Sequence, residues 1–280
     1  MILDGFKVAK EIRKKLIKDV LQLKKNNIFP KLAIIQVGNN ISSSIYIKNK
    51  RVACQEVGIK LEEYNFDDSV NTNQLKKLIT RLNQDNKVHG ILVQHPLPKN
   101  LNEIEIFNMI NPQKDVDGFT FDNIGKLYSA RNCFVPCTPK GIIRLLKEYQ
   151  IPLVGKHVVI VGRSMIVGKP LALLFLQENA TVTILHSKSI NKEKIIESAD
   201  ILVSAVSIPK FITEKMVSKN AIVIDVGINY INGKIVGDVD FEKVSKKVKY
   251  ITPVPKGVGP MTIAMLLENV IKACKENNKN

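Results

Sequence analysis

The chain contains no tryptophan, few arginines and no apolar run long enough to cross a membrane, although 45% of its 280 residues are hydrophobic. Residues 1–15, MILDGFKVAKEIRKK, lack the apolar core and cleavage site of a signal peptide and are instead typical of an amphipathic helix. We therefore expect a cytoplasmic protein that has no membrane partner.

Cysteine is also scarce, with four in the chain. Cys54 and Cys274 stand alone within helical patterns, whereas Cys133 and Cys137 have no second Cys/His pair nearby that would complete a metal site. We expect reduced and mostly buried thiols, and no bound metal.

Arginine and aromatic residues are too sparse to favour a nucleic-acid-binding surface. The formal net charge is +16, but only six of the 42 basic residues are arginine, at positions 13, 51, 81, 131, 144 and 163. The lysines are spread over helical segments and are not interleaved with stacking rings. We expect no nucleic-acid partner, although the charge keeps a basic nucleic-acid-binding α/β protein open as an alternative. A basic surface also attracts polyanionic small substrates.

Alternating helical and extended patterns predict the α/β class. Residues 4–110 alternate helix and strand, and after a helix within Pro136–Gln150 the alternation resumes at Val158. We predict two three-layer α/β domains, the second a Rossmann-type dinucleotide-binding domain. The segment NYINGKIVGD predicts a hairpin with an Asn-Gly turn. The predicted boundaries are 1–138 for the first domain, completed by a C-terminal helix at 260–280, and 139–259 for the second.

The segment Val158–Pro170, VVIVGRSMIVGKP, combines a buried strand, a glycine turn and the start of a helix. Unpaired N–H groups and the helix dipole make such a junction a phosphate site. The pattern departs from G-x-G-x-x-G, because Ser164 replaces the second glycine and Gly168 comes one position late after Gly162. By itself the loop fits a nucleotide site and an ordinary strand–helix turn about equally well.

Two further features favour NADP over NAD. The next strand, Thr181–Leu185, ends in His186 and Ser187, where an NAD enzyme usually has an acidic residue for the ribose hydroxyl. Arg163 lies in the glycine loop itself. An arginine in place of a carboxylate suits a 2′-phosphate.

Candidate catalytic residues follow the predicted strands of the first domain. Ser43, Tyr46 and Lys50 lie three and four residues apart, which places them on one helix face, although a surface helix with a solvated lysine has the same spacing. Gln94 follows a second strand and is able to hydrogen-bond an amine. The carboxyl ends of parallel strands meet at one edge of a sheet, so these side chains are expected there together.

Three more polar residues lie near the predicted strand ends. Asp115 and Asp117 are suited to accept N–H donors from a heterocycle, but a turn residue that caps its own loop is the alternative for Asp117. His95 is either a base or a residue that packs within its proline-rich loop.

Ten motifs occur in the order and roughly the spacing of one known family. They are YIKNKRVACQEVGI, VQHPLP, PQKDVDGFT, PCTPKGI, GRSMIVGKP, ATVTILHS, ADILVSAV, VIDVGIN, GDVDF and ITPVPKGVGPMT. From about Asp4 to Met265 the chain thus resembles the bifunctional methylenetetrahydrofolate dehydrogenase/methenyltetrahydrofolate cyclohydrolases. The resemblance implies two α/β domains with a cleft between them, usually as a homodimer.

The same resemblance implies two reactions of one-carbon metabolism. Hydride passes from 5,10-methylenetetrahydrofolate to NADP⁺, and water then converts the methenyl product to 10-formyltetrahydrofolate. Lys50 matches the catalytic lysine, which in its neutral form relays protons. Gln94 matches the glutamine that holds this lysine, and Tyr46 matches the tyrosine that stacks on the folate. Asp117 matches the carboxylate that grips the pterin, and Ser43 matches the serine on the same helix face.

The resemblance also assigns binding positions in the second half of the chain and exposes two departures. His95 stands where the family usually has leucine, and Lys256 replaces a glycine. His95 leaves open an alternative, a folate dehydrogenase with weak or absent cyclohydrolase activity. The expected cofactor-binding residues are Gly162, Arg163, Ser164, Gly168, Ser187 and Ile228, and Gly259 and Pro260 are expected in the motif that closes over the substrate.

Overall fold

A computed structural model describes residues 1–39, 41–231 and 233–277. The chain divides into two compact units. Unit I comprises residues 10–136 and 263–280, of which 278–280 lie outside the described residues, and unit II comprises residues 1–9 and 137–262. The domain boundaries predicted from the sequence stay a prediction, and they differ from these units in the placement of residues 1–9, 137–138 and 260–262.

Unit I is built on a parallel sheet of three strands. Its elements are helix α1 (Gly5–Lys25), which begins in unit II, strand β1 (Lys31–Val37), α2 (Ile41–Val57), β2 (Lys60–Phe66), α3 (Thr72–Gln84), β3 (Gly90–Val93), α4 (Glu103–Phe107) and α5 (Phe121–Tyr128). The strand order is β2–β1–β3, so β1 lies in the middle and its apolar side chains are buried. Strands covered on both faces are therefore nearly continuous apolar runs.

Helix α3 illustrates how local sequence fixes an element of this unit. The Asn71 side chain accepts a hydrogen bond from Gln74 N, and the Gln74 side chain accepts one from Asn71 N, both at 3.0 Å. This capping box supplies side-chain acceptors for two N–H groups at the helix start. The buried face of α3, spaced at helical intervals, belongs to the hydrophobic core of unit I and consists of Leu75, Leu78, Ile79 and Leu82.

Unit II contains a parallel five-stranded sheet in the order β10–β7–β6–β4–β5. Its elements are α6 (Cys137–Glu148), β4 (His157–Val161), α7 (Gly168–Gln177), β5 (Thr181–Leu185), α8 (Lys192–Glu197), β6 (Ile201–Ser204), β7 (Ile222–Asp225), β8 (Asn229–Ile231), β9 (Lys234–Val236), α9 (Phe241–Val244), β10 (Tyr250–Ile251) and α10 (Val258–Asn277), which continues into unit I. The strand order reverses beside β4, because β5 lies on one side of it and β6 on the other. Ligands of open parallel sheets bind at the carboxyl ends of strands at such a reversal.

The predicted α/β class is confirmed, since each unit contains a parallel sheet with intervening helices. The predicted hairpin is present as the antiparallel pair β8–β9, and its turn residue Asn232 lies outside the described residues. Over the described ranges, none of the helices has the length and apolar character that a membrane crossing requires.

Candidate active site

Lys50 and Gln94 meet at the carboxyl edge of the sheet in unit I. Helix α2 follows β1 and carries Lys50, Gln94 follows β3 directly, and β1 and β3 are adjacent parallel strands. Lys50 is 6% exposed, and its Nζ donates a hydrogen bond of 2.8 Å to Gln94 Oε1. The structure therefore brings together the amine and the amide that the sequence predicted at one edge.

The amide of Gln94 is oriented by the backbone that follows it. Gln94 N donates to Ile35 O at 2.8 Å and extends the ladder between β1 and β3. Gln94 Nε2 donates to the carbonyl oxygen of His95 at 2.8 Å, so the amide oxygen is directed at Lys50. Ser43, which is buried, also donates to His95 O, at 3.5 Å. One carbonyl thus links two of the predicted site residues.

Two side chains near Lys50 on helix α2, those of Arg51 and Cys54, contribute little net charge. Arg51 Nε and Nη2 both bind the carboxylate of Glu63, each at 2.7 Å, which balances the guanidinium. Cys54, one turn after Lys50, is fully buried, and burial raises the pKa of its thiol to about 12. A thiol with that pKa stays protonated and uncharged at neutral pH. Tyr46, one turn before Lys50 on the same helix, is half-buried.

The two aspartates of the KDVDGF segment have different environments. Asp115 is 1% exposed, and its carboxylate accepts hydrogen bonds from Gly118 N at 2.9 Å, Thr120 N at 2.8 Å and Asn123 Nδ2 at 2.9 Å. Asp115 is therefore the residue that caps its own loop, and the expectation that it receives N–H donors from a ligand is wrong. Asp117 is half-buried and remains the candidate for that role.

The loop that carries Asp117 runs beside β3. Asp115 forms a parallel bridge with Ile91, so the chain travels toward the carboxyl end of β3 when it reaches Asp117. From α10, the side chain of Asn269 donates to Val116 O at 2.8 Å. Sequence reasoning missed Asn269, which lies 153 residues away from its partner in the chain.

The ring of His95 is directed at a glutamate. Its Nδ1 lies 2.8 Å from Glu103 Oε1, and the same oxygen accepts a hydrogen bond from Leu97 N at 2.7 Å. Burial opposes ionisation of Glu103, but these two hydrogen bonds prevail and lower the pKa of its carboxyl below the ordinary value. The loop-packing interpretation of His95 fits this geometry. Sequence reasoning missed Glu103, because its contact with His95 depends on the path of the intervening loop.

The glycine loop of unit II is shaped for close backbone approach. Gly162 follows β4 with φ of 123°, and a Cβ there would overlap the carbonyl of Ala205. At Gly168 a Cβ would overlap the carbonyl of Gly162. Ser164 Oγ accepts hydrogen bonds from Val167 N at 3.2 Å and Gly168 N at 3.4 Å, and so caps the first turn of α7. The exposed hydroxyl keeps its own hydrogen to donate to a ligand.

The two residues expected to bind a 2′-phosphate lie at neighbouring strand exits. Val161 of β4 pairs with Leu185 of β5, so Arg163 and Ser187 each lie two residues beyond the same register position. Both residues are exposed. The turn after β5 is closed by His186 N, which donates to Ser189 Oγ at 3.0 Å.

A buried pair of aspartates braces the loops at the exits of β6 and β7. Asp225 accepts hydrogen bonds from Gly227 N at 3.0 Å and Val239 N at 3.0 Å, and burial raises the pKa of its carboxyl to about 7 against these contacts. Asp238 accepts hydrogen bonds from Val206 N at 2.8 Å and Ile208 N at 2.9 Å. Sequence reasoning missed both aspartates. Ile228, the expected backbone contact of the cofactor, follows the braced residue Gly227. Gly259 and Pro260 are half-buried in the first turn of α10, and their role in substrate binding stays a prediction.

Comparison with known proteins decides the family. The model of the tetrahydrofolate dehydrogenase/cyclohydrolase catalytic domain matches residues 3–117, and the model of the NAD(P)-binding domain of the same enzymes matches residues 136–278. The chain belongs to the tetrahydrofolate dehydrogenase/cyclohydrolase family. The resemblance inferred from the ten motifs and the predicted dinucleotide-binding domain are thereby confirmed.

Full-length relatives agree with this family. The chain is 50% identical over 279 residues to the bifunctional protein FolD of Anoxybacillus flavithermus, with 99% of each chain covered. It is 52% identical over 275 residues to that of Thermodesulfovibrio yellowstonii, with 98% of this chain and 96% of the relative covered.

Solved structures of the tetrahydrofolate dehydrogenase/cyclohydrolase family have the same fold. The bifunctional enzyme FolD of Campylobacter jejuni is 46% identical and superposes with a TM-score of 0.96 over 99% of both chains. The FolD enzyme of Trypanosoma brucei, solved in complex with NADP cofactor and an inhibitor, is 35% identical, with a TM-score of 0.96 over 100% of this chain and 99% of that one.

Proposed function

We propose that this protein oxidises 5,10-methylenetetrahydrofolate to 5,10-methenyltetrahydrofolate with NADP⁺ and then hydrolyses the product to 10-formyltetrahydrofolate. The observation that carries the proposal is the contact between the buried amine of Lys50 and the oriented amide of Gln94, in a chain of this family. It is a dehydrogenase and a cyclohydrolase of one-carbon metabolism.

The dinucleotide loop of unit II fits the proposed cofactor. A Cβ at Gly162 would overlap the carbonyl of Ala205 and one at Gly168 would overlap the carbonyl of Gly162, so the tight turn between β4 and α7 requires glycine at both positions, as dinucleotide-binding loops do. Arg163 and Ser187 follow neighbouring strands, and a contact of both with a 2′-phosphate is proposed, in keeping with NADP rather than NAD. When bound, NADP⁺ supplies the hydride acceptor, and the chain supplies placement.

The side chains of unit I have distinct proposed tasks. Tyr46 stacks on the folate, Asp117 accepts paired N–H bonds from the pterin edge, and Ser43 lies on the same helix face as Lys50. In the hydrolytic step the oxygen of water bonds to the methenyl carbon and the bond from that carbon to N5 breaks. One proton of the water ends on N5 and the other is released. Lys50 in its uncharged form accepts and returns protons during these transfers, and Gln94 holds its amine in place.

The contacts of His95 argue against the alternative of a dehydrogenase with weak or absent cyclohydrolase activity. It rested on His95 and on the possibility that the imidazole competes for the proton shared by Gln94 and Lys50. The ring instead contacts Glu103, and it is the backbone carbonyl of His95 that accepts the hydrogen bond from the Gln94 amide. This geometry favours retention of both activities. The resemblance further supports a homodimer located in the cytoplasm.

The experiment follows both reactions in one preparation. Purified protein given methylenetetrahydrofolate and NADP⁺ should form NADPH and then 10-formyltetrahydrofolate. Lys50→Met should reduce the hydrolysis of added methenyltetrahydrofolate to the uncatalysed rate, because methionine keeps the stem and removes the amine. Lys48→Met, an exposed position on the same helix, is the matched control and should retain both rates. Full hydrolysis by Lys50→Met would exclude the proposed role.

A further inference from the structure

The carbonyl of His95 is a junction in unit I. Its oxygen accepts a hydrogen bond of 2.8 Å from Gln94 Nε2 and one of 3.5 Å from Ser43 Oγ. The Oε1 of the same Gln94 amide accepts a hydrogen bond from Lys50 Nζ. The direction of this carbonyl therefore decides which end of the Gln94 amide faces the amine. If the amide turned over, its NH₂ group would face the Lys50 Nζ and donate to the lone pair with which the uncharged amine accepts a proton.

Glu103 holds the segment that contains this carbonyl. Its Oε1 binds both the ring of His95 at 2.8 Å and the backbone N–H of Leu97 at 2.7 Å, and so it spans Pro96 from both sides. Leu97 is buried in the hydrophobic core of unit I together with Leu101 and other residues of that cluster. The segment from His95 to Leu97 is thus held by strand β3 before it, by the hydrophobic core around Leu97 after it, and by Glu103 Oε1 between them.

We propose that Glu103 is a positioning residue for the hydrolytic step. Through His95 and Leu97 it fixes the carbonyl that orients Gln94, and thereby keeps the Gln94 oxygen on Lys50. The inference rests on the proposed function. Glu103 itself touches none of the predicted substrate-binding residues among its described contacts.

The two reactions should respond unequally to a change at this position. Hydride transfer depends on placement of cofactor and folate, whereas the hydrolytic step also requires the amine and amide in register. A displacement of about 1 Å at a reacting group can lower a rate by up to ~100-fold. Loosening the segment should therefore lower hydrolysis more than oxidation and leave the KM for the methenyl substrate nearly unchanged.

Glu103→Ala and Glu103→Gln form the matched pair that tests the proposal. Glutamine keeps an oxygen that accepts from His95 and Leu97 N, whereas alanine removes it. We expect Glu103→Ala to lower the kcat of hydrolysis relative to that of oxidation by about 3- to 30-fold, and Glu103→Gln to stay within about twofold of the unmodified chain. A merely structural role predicts that both rates fall together or that Tm falls with no change in their ratio, and either result overturns the proposal.

His95→Leu supplies a second, independent variant. It removes the ring contact and leaves the Leu97 N–H on Glu103, so its effect on the rate ratio should be smaller and in the same direction. The double variant His95→Leu/Glu103→Ala should have the same rate ratio as Glu103→Ala alone, because both changes remove the contact between His95 and Glu103. Should Glu103→Ala not fold, His95→Leu decides alone, and an unchanged ratio refutes the proposal. An unmodified chain without hydrolysis would refute the proposed function itself, and the inference with it.

Discussion

Replacing Gln94 by glutamate tests the role of Lys50 with a change of one charge and almost no change of shape. Gln94 Oε1 accepts the hydrogen bond of Lys50 Nζ at 2.8 Å, and a glutamate oxygen can occupy the same place. The proposed hydrolytic step uses the uncharged amine, because only that form accepts a proton. A carboxylate in contact stabilises the ammonium form instead.

The size of the effect follows from that 2.8 Å distance. Two unit charges so close attract by about 1.5 kcal/mol at a dielectric constant of ~80 and by about 6 kcal/mol at ~20. The low exposure of Lys50 places its surroundings between these limits. Since about 1.4 kcal/mol is a factor of ten, the uncharged fraction at a given pH falls by about 10- to 10⁴-fold. Hydrolysis at neutral pH should fall by at least about tenfold.

The assay records both reactions from about pH 6.5 to about pH 9.5, with the uncatalysed hydrolysis subtracted. In Gln94→Glu the hydrolysis profile should move toward alkaline pH and recover part of its rate there, while NADP⁺ reduction changes much less. Gln55→Glu, the same substitution at an exposed position of α2, is the control and should leave the profile in place. Hydrolysis by Gln94→Glu within about twofold of the unmodified chain at every pH would refute the reasoning.

Three further changes test how the framework supports the sites. Lys114→Met removes an amine that donates to the carbonyls of residues 82, 83 and 85 at the end of α3. In urea denaturation it should lower the free energy of unfolding by about 2–4 kcal/mol, whereas Lys76→Met, at an exposed position, should lower it by less than about 0.5 kcal/mol. Gly168→Ala should raise the Kd for NADP⁺ in calorimetric titration by about tenfold or more, because its Cβ meets the Gly162 carbonyl, while Gly125→Ala, with open space around it, should leave the Kd unchanged. Lys256 has φ of 82°, so Lys256→Gly should be about 1 kcal/mol more stable in urea than Lys256→Ala, and equal stability of the two would contradict the assigned strain.

Much of the fold and part of the candidate site could be predicted from the sequence because the signals are local. Apolar β-branched runs followed by glycine or polar residues give the strand exits, and the spacing of Ser43, Tyr46 and Lys50 gives one face of α2. Parallel strands then require these exits to share an edge, which is how Gln94 was expected near Lys50. The observed contact of 2.8 Å follows that rule.

The sequence could not distinguish between candidate site residues of similar chemistry. Asp115 and Asp117 lie two residues apart in the same segment, yet Asp115 is 1% exposed and holds its own loop, whereas Asp117 is half-buried. His95 was a candidate base or, in preference, a loop-packing residue, and the contact of its ring with Glu103 agrees with packing. The deciding partners of these groups are supplied by other turns of the chain.

The sequence by itself determined the order of helices and strands, the edge of each sheet at which the candidate site residues lie, and the types of side chain at that edge. Only the tertiary structure decided which polar groups are used to hold loops and which remain for chemistry. The physical reason is that a buried donor or acceptor must be satisfied by whatever group the fold brings within about 3 Å. For Val116 O that group is the side-chain amide of Asn269. The two residues are 153 positions apart, so no local sequence pattern predicts their contact.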